Sequence, residues 1–96
     1  DIIELHTGHF CELYEKKDEN YMEALRALEK ATSYAHKLGL EVHAGHGLTT
    51  ESVGLVSKIP EMKELNIGHA IISDSIFMGL RGAVQLMKQK INEARF

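Results

Sequence analysis

Two short stretches of this sequence set an imidazole among glycines: Ala44-Gly45-His46-Gly47-Leu48 and Asn66-Ile67-Gly68-His69. Imidazole titrates near working pH and can give or take a proton. His46, between two flexible residues, is therefore a candidate acid–base group. A glycine lets a phosphate approach the backbone, and a helix N-terminus offers free N–H groups and a positive dipole. Gly47, Gly68 and His69 are candidate phosphate binders on that ground, with a helix expected from Ala70. The plainer alternatives are that the glycines only shape tight turns and that His46 is a bystander. Glu4 and His6 alternate with Ile3 and Leu5, so acid and imidazole share one face of a strand. If that face is closed in, Glu4 needs a partner or a task.

The order His6-x-x-His9-x-Cys11, with His43 and His46 elsewhere, has the donor types of a metal site. The spacing is poor. His6 belongs to a strand, His9 to a loop, and no pair has the i, i+4 helical spacing of a ligand pair. With six histidines in the chain such patterns arise by chance. No catalytic metal and no cofactor are expected.

The elements that must position these groups are legible from periodicity. Residues 2–6 alternate as a strand, Thr7-Gly8 close it, and residues 9–17 read as a polar loop. Asp18 is a plausible N-cap, and Tyr21, Leu25, Leu28, Thr32, Ala35 and Leu38 recur at helical steps up to Gly39. That predicts a helix over about 18–38, whose charged face, with Glu23, Glu29 and Lys30, is solvated. Leu40–Ala44 alternate again as a second strand. Thr49 or Thr50 caps a short helix carrying Val53, Val56 and Ile59, which Pro60 ends. Leu65 and Ile67 alternate with Glu64 and Asn66 in a third strand. A brief helix from Ala70 ends at Gly79, and Leu80, Val84, Met87 and Ile91 mark the last helix.

Strand–helix repeated three times is the pattern of a parallel sheet with crossover helices. The 96 residues give 32 per unit, close to the roughly 31 per unit of a 250-residue eight-unit barrel. Three parallel strands alone would leave two open edges and a bare face. A chain that begins inside a strand, without an initiator Met, also reads as a piece of something larger. Three-eighths of a barrel is the better fit, and active sites of such barrels collect where the two glycine–histidine loops lie, at the C-terminal strand ends.

Composition sets the outer bounds. The chain is 44% hydrophobic and 26% charged, which is ordinary for a globular domain. A formal charge of −3 implies no basic face, so nucleic acid is not an expected partner. Cys11 is the single cysteine, which rules out an internal disulfide and fits a reducing compartment. No signal peptide is read at the start and no apolar run approaches membrane-spanning length, so a cytoplasmic protein is expected.

Three segments resemble, in order, motifs of the pyridoxine 5′-phosphate synthase family, barrel enzymes that close the pyridine ring in one route to vitamin B6. They are Ile3-Glu4-Leu5-His6-Thr7-Gly8, Ala44-Gly45-His46-Gly47-Leu48-Thr49 and the run from Ile59 to Ile72 that contains Asn66-Ile67-Gly68-His69. The two glycine–histidine motifs are specific together and weak alone. The resemblance spans essentially the whole chain. It implies an α/β fold, the last three βα units (strands six to eight) of a TIM (β/α)8 barrel, with residues 1–96 the C-terminal portion of one domain whose five earlier units are absent. It implies condensation of 3-amino-2-oxopropyl phosphate with 1-deoxy-D-xylulose 5-phosphate to pyridoxine 5′-phosphate, phosphate and water. The family's proton donor falls on His46, its phosphate-binding residues on Gly47, Gly68 and His69, and a transition-state-supporting residue on Glu4. Its two general bases belong to earlier strands, so the isolated chain is expected to be inactive. A homo-oligomer built from dimers is implied too. His43 stands where the family usually has Asn, and Asp74 where Arg is frequent. Two other readings stay open on the residues alone: another phosphate-binding barrel of the thiamine phosphate synthase type, or a non-catalytic half-barrel module binding metal through His6, His9 and Cys11.

Overall fold

The computed structural model describes residues 1–95. Its elements run β1 (Ile2–His6), α1 (Gly8–Glu15), α2 (Tyr21–Lys37), β2 (Glu41–Gly45), α3 (Val53–Ser57), β3 (Met62–Asn66) and α4 (His69–Arg95). The strands form one parallel sheet in the order β1-β2-β3, as strand–helix alternation requires. Register pairs Glu4 with His43 and His6 with Gly45, then His43 with Glu64 and Gly45 with Asn66.

Period two divides the sheet into two faces. Ile3, Leu5, Val42 and Ala44 turn toward the helices and join Phe10, Leu28, Ala35, Val56 and Met62 in the main core. Glu4, His6, His43, Glu64 and Asn66 turn the other way. A register irregularity falls between Val42 and His43, which pair with Met62 and Glu64 and leave Lys63 as the extra residue. Lys63 is the reason alternation is legible only from Glu64 onward, although β3 starts two residues earlier.

Residues 9–17, read from sequence as a loop, are mostly helix α1. The apolar side is Phe10, Cys11 and Tyr14, at helical spacing, with Phe10 and Cys11 buried. The intervening Glu12, Glu15, Lys16 and Lys17 masked that stripe. The C-terminal stop was masked as well, because a Lys occupies the position glycine usually takes. Lys17 has φ 56. Its N–H donates to the Tyr14 carbonyl, and the Asp18 N–H to that of Leu13, the paired bonds of a Schellman ending. Gly39 closes α2 in the same way at φ 84, with its N–H on the His36 carbonyl and that of Leu40 on Ala35. Asp18 starts the approach to α2 by accepting the Asn20 N–H on Oδ1 at 2.9 Å. Phe10, Tyr14 and Tyr21 join the two helices, Tyr14 and Tyr21 edge to face with centroids 5.2 Å apart.

Helix α4 bends at Gly79, whose φ 77 and ψ 157 are not helical. By length and composition the undivided helix would be apolar enough to cross a membrane, contrary to the sequence expectation. The break leaves segments 69–78 and 80–95, each shorter than the roughly 20 residues a span requires. At its far end Arg95 donates to the carbonyls of Met62 and Pro60 at 3.1 and 3.2 Å, tying α4 to the start of β3.

Candidate active site

Because the strands are parallel, their carboxyl ends lie side by side and the loops that follow share one rim. An open cleft of about 1310 Å³ occupies it, and Glu4, His46, Gly47, Gly68 and His69 all line it. All five residues singled out in the sequence therefore meet in one place.

His46 is the most constrained of them. Its φ is +95, a left-handed conformation that non-glycine residues seldom adopt, and Gly47 follows at φ +80. Such a backbone costs on the order of 1–3 kcal/mol and persists only where its surroundings hold it. Three groups do so here. The Thr7 hydroxyl donates to the His46 carbonyl at 2.6 Å, and the Cys11 thiol reaches the same oxygen at 3.7 Å. The His46 ring stacks on that of His6, centroids 4.2 Å apart and planes 27° from parallel. Gly8 lies beneath both rings. A Cβ there would come within 2.6 Å of His6 Cε1 and 2.8 Å of His46 Cδ2. A Cβ on Gly47 would stand 3.1 Å from that of Cys11, so Gly47 is required by packing as well as by φ.

Cys11 takes its place here as a packing residue. Burial pushes its thiol pKa up, and hydrogen bonds from Ser52 and Thr7 oppose that rise. The loop after His46 is anchored by Thr49, in the turn ahead of α3, whose N-cap is Ser52 and not the expected Thr49 or Thr50. Its Oγ1 accepts the N–H groups of Glu51 and Ser52 while its own N–H donates to Ser52 Oγ at 3.0 Å, a reciprocal pair that closes the turn.

Glu4 reaches over Gly45. A Cβ on Gly45 would lie 2.9 Å from Glu4 Oε1 and 2.8 Å from the Asn66 carbonyl oxygen. The missing side chain lets the carboxylate settle against the backbone of β2. Deeper on the same face, His43 Nε2 stands 2.6 Å from Glu41 Oε2 and 3.4 Å from Glu64 Oε2. These three offer donor atoms within 4.8 Å of one another, enough to meet a cation. Sequence reading missed this group, since only sheet register unites Glu41 and His43 with Glu64. Among the described residues His6, His9 and Cys11 do not come together. His9 is exposed on α1, while Cys11 is turned into the core.

The third loop is the most open. Nothing lies within 4 Å of where a Gly68 Cβ would be. The Ile72 N–H already bonds to the Gly68 carbonyl at 3.0 Å, so the N–H groups of His69, Ala70 and Ile71 head the helix with no carbonyl of their own turn to bond. They border the cleft through His69 and Ala70.

The family described as "Pyridoxal phosphate biosynthesis protein PdxJ" matches residues 1–93. The chain belongs to that family. Three curated relatives, each named pyridoxine 5′-phosphate synthase, give the scale of similarity. The protein of Ruegeria pomeroyi is 47% identical over 95 residues, and that of Sulfurihydrogenibium sp. likewise 47% over 95. That of Cereibacter sphaeroides is 43% identical over 95 residues. The matches take in 98–99% of this chain and 38% of each relative. This chain thus spans well under half the length of the relatives it matches. Within the PdxJ match lie all the cleft residues described above.

Proposed function

We propose that this chain supplies the proton-donor side of the active site of a pyridoxine 5′-phosphate synthase. The whole protein would condense 3-amino-2-oxopropyl phosphate with 1-deoxy-D-xylulose 5-phosphate to pyridoxine 5′-phosphate, phosphate and water, in the cytoplasm and as an assembly of dimers. In this reading residues 1–96 are the last three βα units, strands six to eight, of one (β/α)8 barrel. The observation that carries it is the convergence of His46, Glu4, Gly47, Gly68 and His69 on one cleft at the carboxyl ends of three parallel strands.

Each residue has a task its position suits. His46, exposed on the rim, gives its proton to a departing hydroxyl late in ring closure. The C–O bond breaks, water leaves and the imidazole is left neutral. Glu4 supports the charged form of His46 before the transfer, or a cationic intermediate of the substrate. The phosphate ester sits against Gly47, Gly68 and the first-turn N–H groups of α4, which need no Lys or Arg to hold it.

In a full-length protein carrying this sequence, His46→Ala is expected to lower kcat by roughly 10²–10⁴-fold, the usual scale of one acid–base group. KM should change far less, because the phosphate contacts are backbone ones. Single-turnover kinetics with both substrates measures this, and a rate within a few-fold of the parent would sink the assignment.

A further inference from the structure

We propose that His6 is a positioning residue for His46. The inference rests on the reading of His46 as proton donor and assigns the part that holds its ring. His6 is exposed on the open face of the sheet, so it contributes nothing to the hydrophobic core. Its ring has two neighbours of consequence. The Gly8 N–H donates to His6 Nδ1 at 3.3 Å, and the His46 imidazole stacks on it with centroids 4.2 Å apart.

The geometry makes His6 a platform. A histidine between two glycines, with its side chain in an open cleft, is free to sweep a wide arc unless something stops it. The Thr7 hydroxyl fixes the His46 carbonyl, which sets the backbone but leaves the ring to turn about its side-chain bonds. The His6 ring removes that freedom. Its own orientation is set from below by the Gly8 N–H, and Gly8 can sit there only because it lacks a Cβ. His6, Thr7 and Gly8 thus act as one consecutive bracket, at the end of β1, for a group 40 positions away.

The test compares His6→Ala, His6→Phe and His46→Ala in a full-length protein carrying this sequence, with kcat and KM measured separately for both phosphorylated substrates. Misplacing a reacting group by about an ångström can cost up to about 10²-fold. His6→Ala should therefore lower kcat by about 10–100-fold while both KM values stay within about threefold of the parent. His6→Phe keeps a flat ring but loses the bond from the Gly8 N–H, and should recover part of the loss. Nuclear Overhauser contacts between the ring protons of residues 6 and 46 should be present in the parent and in His6→Phe.

A parent-like kcat for His6→Ala overturns the platform. If His46→Ala is crippled in the same assay, the proton-donor reading survives that failure; if it too is parent-like, the reading fails. A His6→Phe protein as slow as His6→Ala also overturns the proposal, since the nitrogens rather than the ring would then matter. So does a rise in KM with kcat preserved. Should His6→Ala not fold, His6→Gln against His6→Phe gives the same contrast.

Discussion

His46 and its neighbours show how single side chains divide the labour of a turn. The left-handed backbone at His46 is held by the Thr7 hydroxyl, and the close fit of Gly8, Gly45 and Gly47 leaves room for the groups packed on them. Gly68 is different, because open space surrounds its missing side chain. Gly68→Val should therefore change folding stability by no more than about 1 kcal/mol, a helix-cap effect. The same change puts two methyl groups in front of the first-turn N–H groups of α4. Phosphate-ester binding, measured by calorimetry on the full-length protein, should weaken much more than thermal stability falls; unchanged affinity counts against the site. Cys11 allows a prediction about pH. Burial raises its thiol above the ordinary value of 9.0, so around and above that pH the folded chain keeps a proton the unfolded chain releases. The stabilising contribution is complete below pH 9.0 and is lost as pH rises through the folded value. Denaturant unfolding of the parent should thus lose stability more steeply above that pH than unfolding of Cys11→Ala. Parallel alkaline limbs would refute this.

Among the elements, the helices that sequence reading placed well are those with a strong stripe and a glycine stop. Helix α2 has both, ending at Gly39, and the expected span of about 18–38 is close to the observed Tyr21–Lys37. Helix α1 has a short stripe and a lysine in the left-handed stop, and periodicity alone gives a loop there for that reason. The bend of α4 was legible, since glycine is the residue that tolerates its backbone. Gly79 combines φ 77 with ψ 157, a region open in practice to glycine alone. Gly79→Ala should either cost about 1–3 kcal/mol or straighten the helix and move segment 69–78 relative to the cleft. Chemical denaturation together with the His69 amide shift distinguishes these outcomes. No change in either would mean that the bend is not held in solution. Arg95 could not be placed from sequence at all. Its partners are carbonyls of Pro60 and Met62, which no side-chain pattern marks.

The whole molecule is a three-stranded parallel sheet covered by helices on one face. Among the described residues its other face, with Glu4, His6, His43 and Glu64, carries no covering helix, and the outer edges of β1 and β3 have no partner strand. Under the proposed partial-barrel reading, further strands would pair these edges and cover this face. The purified chain alone should show no turnover of the two phosphorylated substrates. Adding the part of the Ruegeria pomeroyi relative that lies outside the match should restore measurable activity, and turnover by the chain alone would refute the partial-barrel reading. What the sequence determined by itself is local: the strand–helix order, the glycine stops, and the placing of Glu4, His46, Gly47, Gly68 and His69 near strand ends. These follow from periods of two and 3.6 and from backbone preferences that neighbouring residues settle among themselves. Which distant groups touch follows only from the folded arrangement. The stacking of His6 on His46, the seat of Glu4 over Gly45 and the grouping of His43 with Glu64 all depend on sheet register. Register is set by packing entire apolar faces against the helices, a sum over the whole core that no local stretch of residues contains.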